Sequence, residues 1–533
     1  MQSRRPLGLK AHDPSSTSRL RSMAGMVAAA RPSLYLASPR ARRVRMSMPG
    51  RMKGLTEHLP PMSSETPKPR IAIIGGGCTG AATAVHLLRR LGPSTAADIT
   101  IYEPRETLGT GLAYSTSEPV HRINVPAEKM SLYPDEPTSF VSWLERTDAL
   151  ADDPQAFAPD GQPYPRRAAF GAYVASEIGP HLSAGAVHHV RAAVTRIEQN
   201  GAHWRIVTEQ NGSNTDAAEA DLVVLAVSHP PPAAPRTLQG VAHHPGLIAD
   251  ATLPDALDGV QPDDRILIVG NGLTAADVIA ALERRGHKGP LVSISRRGLR
   301  SRGHADKPQE PFGDFITHPA QRASELLHRV RDTIRQANAQ GISWHAVLDA
   351  LRIQGQELWR ALPLAEKRRL VRLARPYWDV HRFRIAPQVE AVLDKAVAEG
   401  RLRILAASLK DARADGDTIA VTLRHRGTHA LETLDFDRVI VTTGPAHGGI
   451  LESQPCLKSL SDAGLIGLCA TGLGIACDAS ARAIATDGTS IPGLLIAGPL
   501  ARGTFGELMG LPQVTEHAVF IAQEIGRCLE TPS

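Results

Sequence analysis

Residues 71–80 read IAIIGGGCTG and residues 266–277 read ILIVGNGLTAAD. Each is an apolar, strand-like run that enters a glycine turn and opens onto a helical pattern. A strand, a G-x-G turn and a helix begin a βαβ unit, in which backbone N–H groups and the positive end of a helix dipole converge on one point. In the first unit Gly75 permits the tight turn, Gly77 lets the backbone approach a pyrophosphate, and Gly80 lets helix and strand close up. The helix AATAVHLLRRLG stops at Gly92-Pro93, and DITIYEP (98–104) supplies the second strand. Glu103 closes that strand 23 residues after Gly80, where a carboxylate can accept hydrogen bonds from both ribose hydroxyls of a dinucleotide. A purely structural glycine turn would leave Glu103 unexplained.

The second unit has Gly270, Gly272 and Ala275 at the three small positions. Its following strand, LVSISRRG (291–298), ends in Ser295, Arg296 and Arg297 where the first unit has its carboxylate. A carboxylate there repels a 2′-phosphate, whereas arginine grips one bidentately. The charge pattern therefore predicts NADPH rather than NADH at the second site, the bland alternative being two solvated loop cations. Together the units predict an α/β chain with two dinucleotide-binding, Rossmann-like domains.

A chain of 533 residues is too long for one core. Residues 1–69 carry thirteen Lys/Arg against three Asp/Glu, a net +10, so the other 464 residues hold −4 of the chain's +6. The basic character belongs to a Ser/Pro/Arg-rich tail, expected to be disordered, and the body lacks a nucleic-acid signature. SRRPLGLK (3–10) has the look of a twin-arginine export signal, but no adequate apolar run follows it, and a later start codon explains the tail more simply. The longest apolar runs, such as LVVLAV (222–227), are strand-sized, so no membrane span is expected. The five cysteines form no C-x-x-C pair, which argues against a zinc site, a disulfide framework or a redox dithiol and suits the cytoplasm.

This arrangement resembles the two-dinucleotide flavoproteins, with FAD on the first unit and the nicotinamide cofactor on an inserted second one. The resemblance implies an FAD domain in two parts, 70–232 and 436–533, interrupted by an NAD(P) domain at 233–435. DLVVLAVSHPP (221–231) and FDRVIVTTGP (436–445) look like the chain crossings. In PGLLIAGPLARGTFGELMGLPQVTEHAVFIAQEI (492–525) a strand turns at Gly498 into the final helix, which in such folds faces the flavin. Without a cysteine pair, electrons from the flavin go to oxygen, a small acceptor or another protein, and a flavin monooxygenase is the leading reading.

A closer resemblance lies in GTGLAYSTSEPVHRINVPAEKMSLYPDEPTSFVSWL (109–144), SRRG with a following His304, WRALP (359–363), RPYWDVHRFRIAP (375–387) and GPLARGTFGE (498–507). These match a bacterial FAD/NAD(P)-binding family that includes FAD-dependent urate hydroxylases and is distantly similar to the N-hydroxylating ornithine and lysine monooxygenases. The resemblance implies that Asn124 and Met130 lie against the flavin ring, with a turn-capping Asn and a core Met as the alternatives. It also implies NADH for urate hydroxylases, against the charge argument. His381, Arg382 and Arg384 form a basic stretch, in which Phe383 breaks the family's His-Arg repeat. Arg382 or Arg384 could hold an anionic substrate such as urate, and His304 could touch nicotinamide or substrate; the catalytic residues stay otherwise open, and no metal is needed.

Residues 301–400 carry apolar positions at helical spacing and read as a helical insertion closing over the active site, with Trp344, Trp359 and Trp378 as its packing core. The expected partners are O2 and a small substrate, urate being the best-named one, with hydroxylation of an amine and a non-catalytic flavoprotein as alternatives. Oligomeric state is left open.

Overall fold

The computed structural model describes residues 68–92, 97–210, 213–227, 230–444 and 447–530. Apart from Lys68 and Pro69, the basic tail lies outside the described residues.

The described residues form two large sheets and a small antiparallel one. β1 (Arg70–Ile74), β2 (Asp98–Tyr102) and β3 (Val187–Val190) run parallel, with Ile73 opposite Ile101 and Ile101 opposite His189. A separate antiparallel sheet follows, β4 (Ala193–Asn200), β5 (His203–Gln210) and β6 (Ser213–Ala220). β7 (Leu222–Leu225) then returns to pair with the free side of β1. Parallel strands covered on both faces cannot alternate polar and apolar residues, which is why IAII and LVVL read as unbroken runs.

After β7 the second sheet begins. β8 (Leu247–Ile248), β9 (Ile266–Val269), β10 (Leu291–Ser295), β11 (Leu402–Asp415), β12 (Thr418–His425), β13 (Leu431–Phe436) and β14 (Arg438–Val441) assemble in the order β13-β12-β11-β10-β9-β14-β8. β14 lies parallel between β9 and β8, so the stretch read as the start of the returning flavin part still belongs to the second sheet. Its apolar side chains find partners on both sides there. The crossing follows Val441, after which β15 (Arg482–Ile484) and β16 (Ser490–Ile496) complete the first sheet as β15-β16-β7-β1-β2-β3.

Of the helices, α1 (Cys78–Leu91) and α2 (Arg167–Ser183) serve the first sheet, and α3 (Leu273–Arg284) follows β9. The insertion comprises α4 (Ala323–Ala339), α5 (Trp344–Ile353), α6 (Gly355–Ala361), α7 (Leu364–Leu373) and α8 (Arg375–Arg382). It has its own core, around Phe315, Val330, Val347 and Leu358. α9 (Pro387–Ala398) packs on α3 and links β10 to β11, so it is the crossover helix of the second nucleotide fold, and the insertion ends before the expected limit near 400. The short α10 (Arg502–Phe505) and the long α11 (Gln513–Glu530) follow β16, with α11 lying against α1.

Candidate nucleotide sites and an apolar cavity

Gly75 leaves β1 at φ +100°, and a Cβ there would fall 2.7 Å from the carbonyl oxygen of Ala226. Gly80, in the first turn of α1, faces the carbonyl oxygen of Gly75 so closely that no side chain fits. Gly77 caps α1 and has no side chain to bond the first-turn N–H groups. Those donors are what a pyrophosphate takes up. The G-T-G element lies across the turn: Gly109 donates to the carbonyl of Gly76 at 2.7 Å, and Gly111 stands over Gly77. Glu103 is buried; its Oε2 accepts the Gly76 N–H at 3.0 Å, and its Oε1 accepts the Arg105 N–H and Nη1 at 3.1 Å each. A carboxylate has about four lone-pair sites, so one remains for a ribose hydroxyl. Burial pushes the Cys78 thiol up to about 12, which keeps it protonated and unreactive inside the turn.

Gly498 belongs to the same site. A Cβ on it would lie 2.7 Å from Thr79 Oγ1 in the first turn of α1, so only glycine lets the end of β16 pack there. Its N–H donates to Nδ1 of His517 at 3.1 Å, and burial holds that imidazole down at about 3.

The second turn repeats the plan. Gly270 sits at φ +127° against Thr442, Gly272 opens onto free space at the start of α3, and Ala275 is buried within that helix. Arg296 is exposed and pairs with no carboxylate among the described residues. Arg297 is directed elsewhere, its guanidinium 5.4 Å from the Tyr377 ring centre. Arg426, far off in sequence, reaches over to the carbonyl of Arg296 at 3.5 Å. Arg426 therefore stands beside Arg296 at the end of β10, while Arg297 lies toward Tyr377 of the insertion.

Asn124 marks the seam between the folds. Its carbonyl accepts His304 Nε2 at 2.8 Å, and its Oδ1 lies 3.5 Å from Arg167, which pairs with Asp277 of α3 at 2.8 Å. Burial holds His304 down at about 4, so near neutrality it is an uncharged imidazole bridging to the Asn124 carbonyl. Met130 is 4% exposed and sits in the core, which leaves it almost no surface for a flavin ring.

The two candidate substrate cations are already paired. Arg382 Nε donates to Glu507 Oε1 at 3.0 Å, both side chains buried, and Arg384 grips Asp349 bidentately at 2.8 and 3.1 Å. Nor do the tryptophans form the insertion's core. They wall a cavity of about 570 Å³ between α4–α8 and the segment after Gly498, together with Leu351, Leu358 and Arg502. Trp359 donates to the Gly503 carbonyl at 2.9 Å and Trp378 to Glu507 Oε2 at 3.2 Å. These two bonds tie the insertion to the segment after Gly498, and Val330 and Leu358 of the insertion's core line the same cavity.

Residues 72–230 match a family model described as FAD-NAD(P)-binding. No curated protein matches the chain. Among solved structures, the reduced ornithine hydroxylase of Pseudomonas aeruginosa is 16% identical with a TM-score of 0.61, covering 86% of this chain and 99% of its own. The L-lysine 6-monooxygenase of Pseudomonas syringae is 18% identical with a TM-score of 0.56, over 86% and 98%. The ornithine N-hydroxylase of Kutzneria sp. 744 is 17% identical with a TM-score of 0.54, over the same shares. This chain has their fold. FAD and a nicotinamide dinucleotide are the cofactors of such a fold, and the donors at both turns fit them.

Sequence reading missed Arg426, His517, Glu507 and Arg502. The last two stand in the quoted GPLARGTFGE, where two opposite charges in a run of small and apolar residues were the available signal.

Proposed function

We propose that this protein is an FAD-dependent, NADPH-consuming monooxygenase, with FAD at the turn of Gly75–Gly80 and NADPH at the turn of Gly270–Ala275. The observation that carries the reading is the combination of two open nucleotide turns with a separate substrate-sized cavity beside the Gly498 segment. None of the five cysteines stands in a C-x-x-C pair, and Cys78, the one in the first turn, is kept protonated by burial. Reduced flavin supplies the activation of O2 and the transfer of one oxygen atom to the substrate. The chain's own residues do the rest: the α1 N-terminus and Glu103 hold the dinucleotide, Arg296 selects the nicotinamide cofactor, and the insertion walls the cavity.

Urate finds little support, since Arg382 and Arg384 are each committed to a carboxylate. Hydroxylation at nitrogen is the better reading, because several solved structures that share the fold are named as hydroxylases or monooxygenases of ornithine or lysine. Anaerobic addition of NADPH should bleach the flavin band, and admitted oxygen should restore it. A flavin that NADPH leaves oxidised overturns the proposal.

A further inference from the structure

Among the described residues the cavity wall has two charged groups with no hydrogen bond or ion pair, Arg331, which is exposed to solvent, and Arg502, which is buried. Arg502 is 5% exposed and lines the wall, and its side chain makes no hydrogen bond or ion pair among the described residues. Its Nη1 is buried with no acceptor. Of the nearby carboxylates, Glu507 is held by Arg382 and Trp378, and Asp379 gives Oδ2 to Arg375 at 3.2 Å while its Oδ1 is buried with no hydrogen-bond partner and makes none to Arg502. Arg352, a further cation behind Arg382, is spent on the Leu511 carbonyl and Gln513. The cluster thus has more cations than carboxylates, and a buried guanidinium left in this way is costly unless an anion completes it. Around Arg502 the wall is apolar and aromatic, from Leu351 and Leu358 to Trp344 and Trp359.

We propose that the cavity binds an amphipathic carboxylate, its head on Arg502 and its apolar body along the tryptophans and leucines of the insertion. The volume of about 570 Å³ falls in the range of small-molecule sites. Urate, polar around its whole rim, would leave the apolar wall uncovered, and a diamine would bring a cation to Arg502. Calling the ligand the substrate rests on the monooxygenase reading; its binding does not. If the reaction is N-hydroxylation, the amine is a second group on the same molecule, away from the carboxylate.

The test is a titration of the flavin-loaded full-length protein with decanoate, decanol and decylammonium, followed by tryptophan emission, since three of the chain's five tryptophans wall the cavity. Decanoate should bind about tenfold or more tighter than decanol, with decylammonium weakest, and Arg502→Gln should erase the preference while Arg502→Lys keeps most of it. Decanol or decylammonium matching decanoate, a preference that survives Arg502→Gln, or no response to any probe overturns the proposal. Should Arg502→Gln fail to fold, Leu351→Trp fills the cavity from the insertion side and must block decanoate; undiminished binding is equally fatal. Decanoate bound by a protein whose flavin NADPH fails to reduce supports the pocket and sinks the monooxygenase reading instead.

Discussion

Replacing Glu507 with alanine removes the carboxylate that ties the insertion to the flavin segment. Glu507 and Arg382 are 7% and 6% exposed at the side chain, and the guanidinium Nε lies 3.0 Å from the carboxylate. Trp378 loses its acceptor in the same step. A buried cation deprived of its partner costs about 3–5 kcal/mol. The lower end applies here, because Glu507 lines the cavity and water can enter beside the stranded arginine. Arg352 and Arg502 add repulsion, each already held below the usual arginine range by burial. The expected loss is about 3 kcal/mol for Glu507→Ala, a similar loss for Arg382→Ala, and a double variant better than the sum by about 2 kcal/mol. Urea titration of the flavin-loaded protein, read by tryptophan and flavin fluorescence, closes the cycle. Additive losses, or a cost for Glu507→Ala below about 1 kcal/mol, would refute the pairing argument.

His304 and His517 are held at about 4 and about 3 in the folded chain against about 6.5 unfolded, so the unfolded state takes up protons first as pH falls. Stability is therefore complete above pH about 6.5 and declines toward pH 4, and His304→Gln should remove about one proton's worth of slope, roughly 1.4 kcal/mol per pH unit; an unchanged urea-midpoint profile would contradict the burial. Arg296→Ala should raise the KM for NADPH about tenfold and leave NADH as it was. Stopped-flow flavin reduction reads this, and equal use of both nucleotides by wild type removes the 2′-phosphate argument. Gly80→Val and Glu103→Arg should purify colourless, the first because any side chain meets the Gly75 carbonyl and the second because it puts a cation at the ribose. A normal flavin spectrum in either variant counts against the first site.

The nucleotide turns were legible in the chain itself because their chemistry is local. A tight strand-to-helix turn needs glycine at Gly75 and Gly80 wherever it occurs, and Glu103 follows by the length of one βαβ unit. Buried parallel strands announced themselves as apolar runs for the same reason. The partners of the arginines could not be read this way. Arg382 and Glu507 are 125 residues apart and Arg296 and Arg426 are 130 apart, so nothing in HRFR or SRRG signals which cation is already paired. Sequence gave the charge of Arg382, Arg384 and Arg502 alike, and only packing decided that the first two meet carboxylates while the third faces a cavity. The tryptophans follow the same logic: their helical spacing fits a core or a cavity wall equally, and the acceptors at Gly503 and Glu507 turn them toward the cavity. β14 joins the second sheet for a related reason, since an apolar strand goes where both its edges find partners, and those edges, β8 and β9, are distant in the chain.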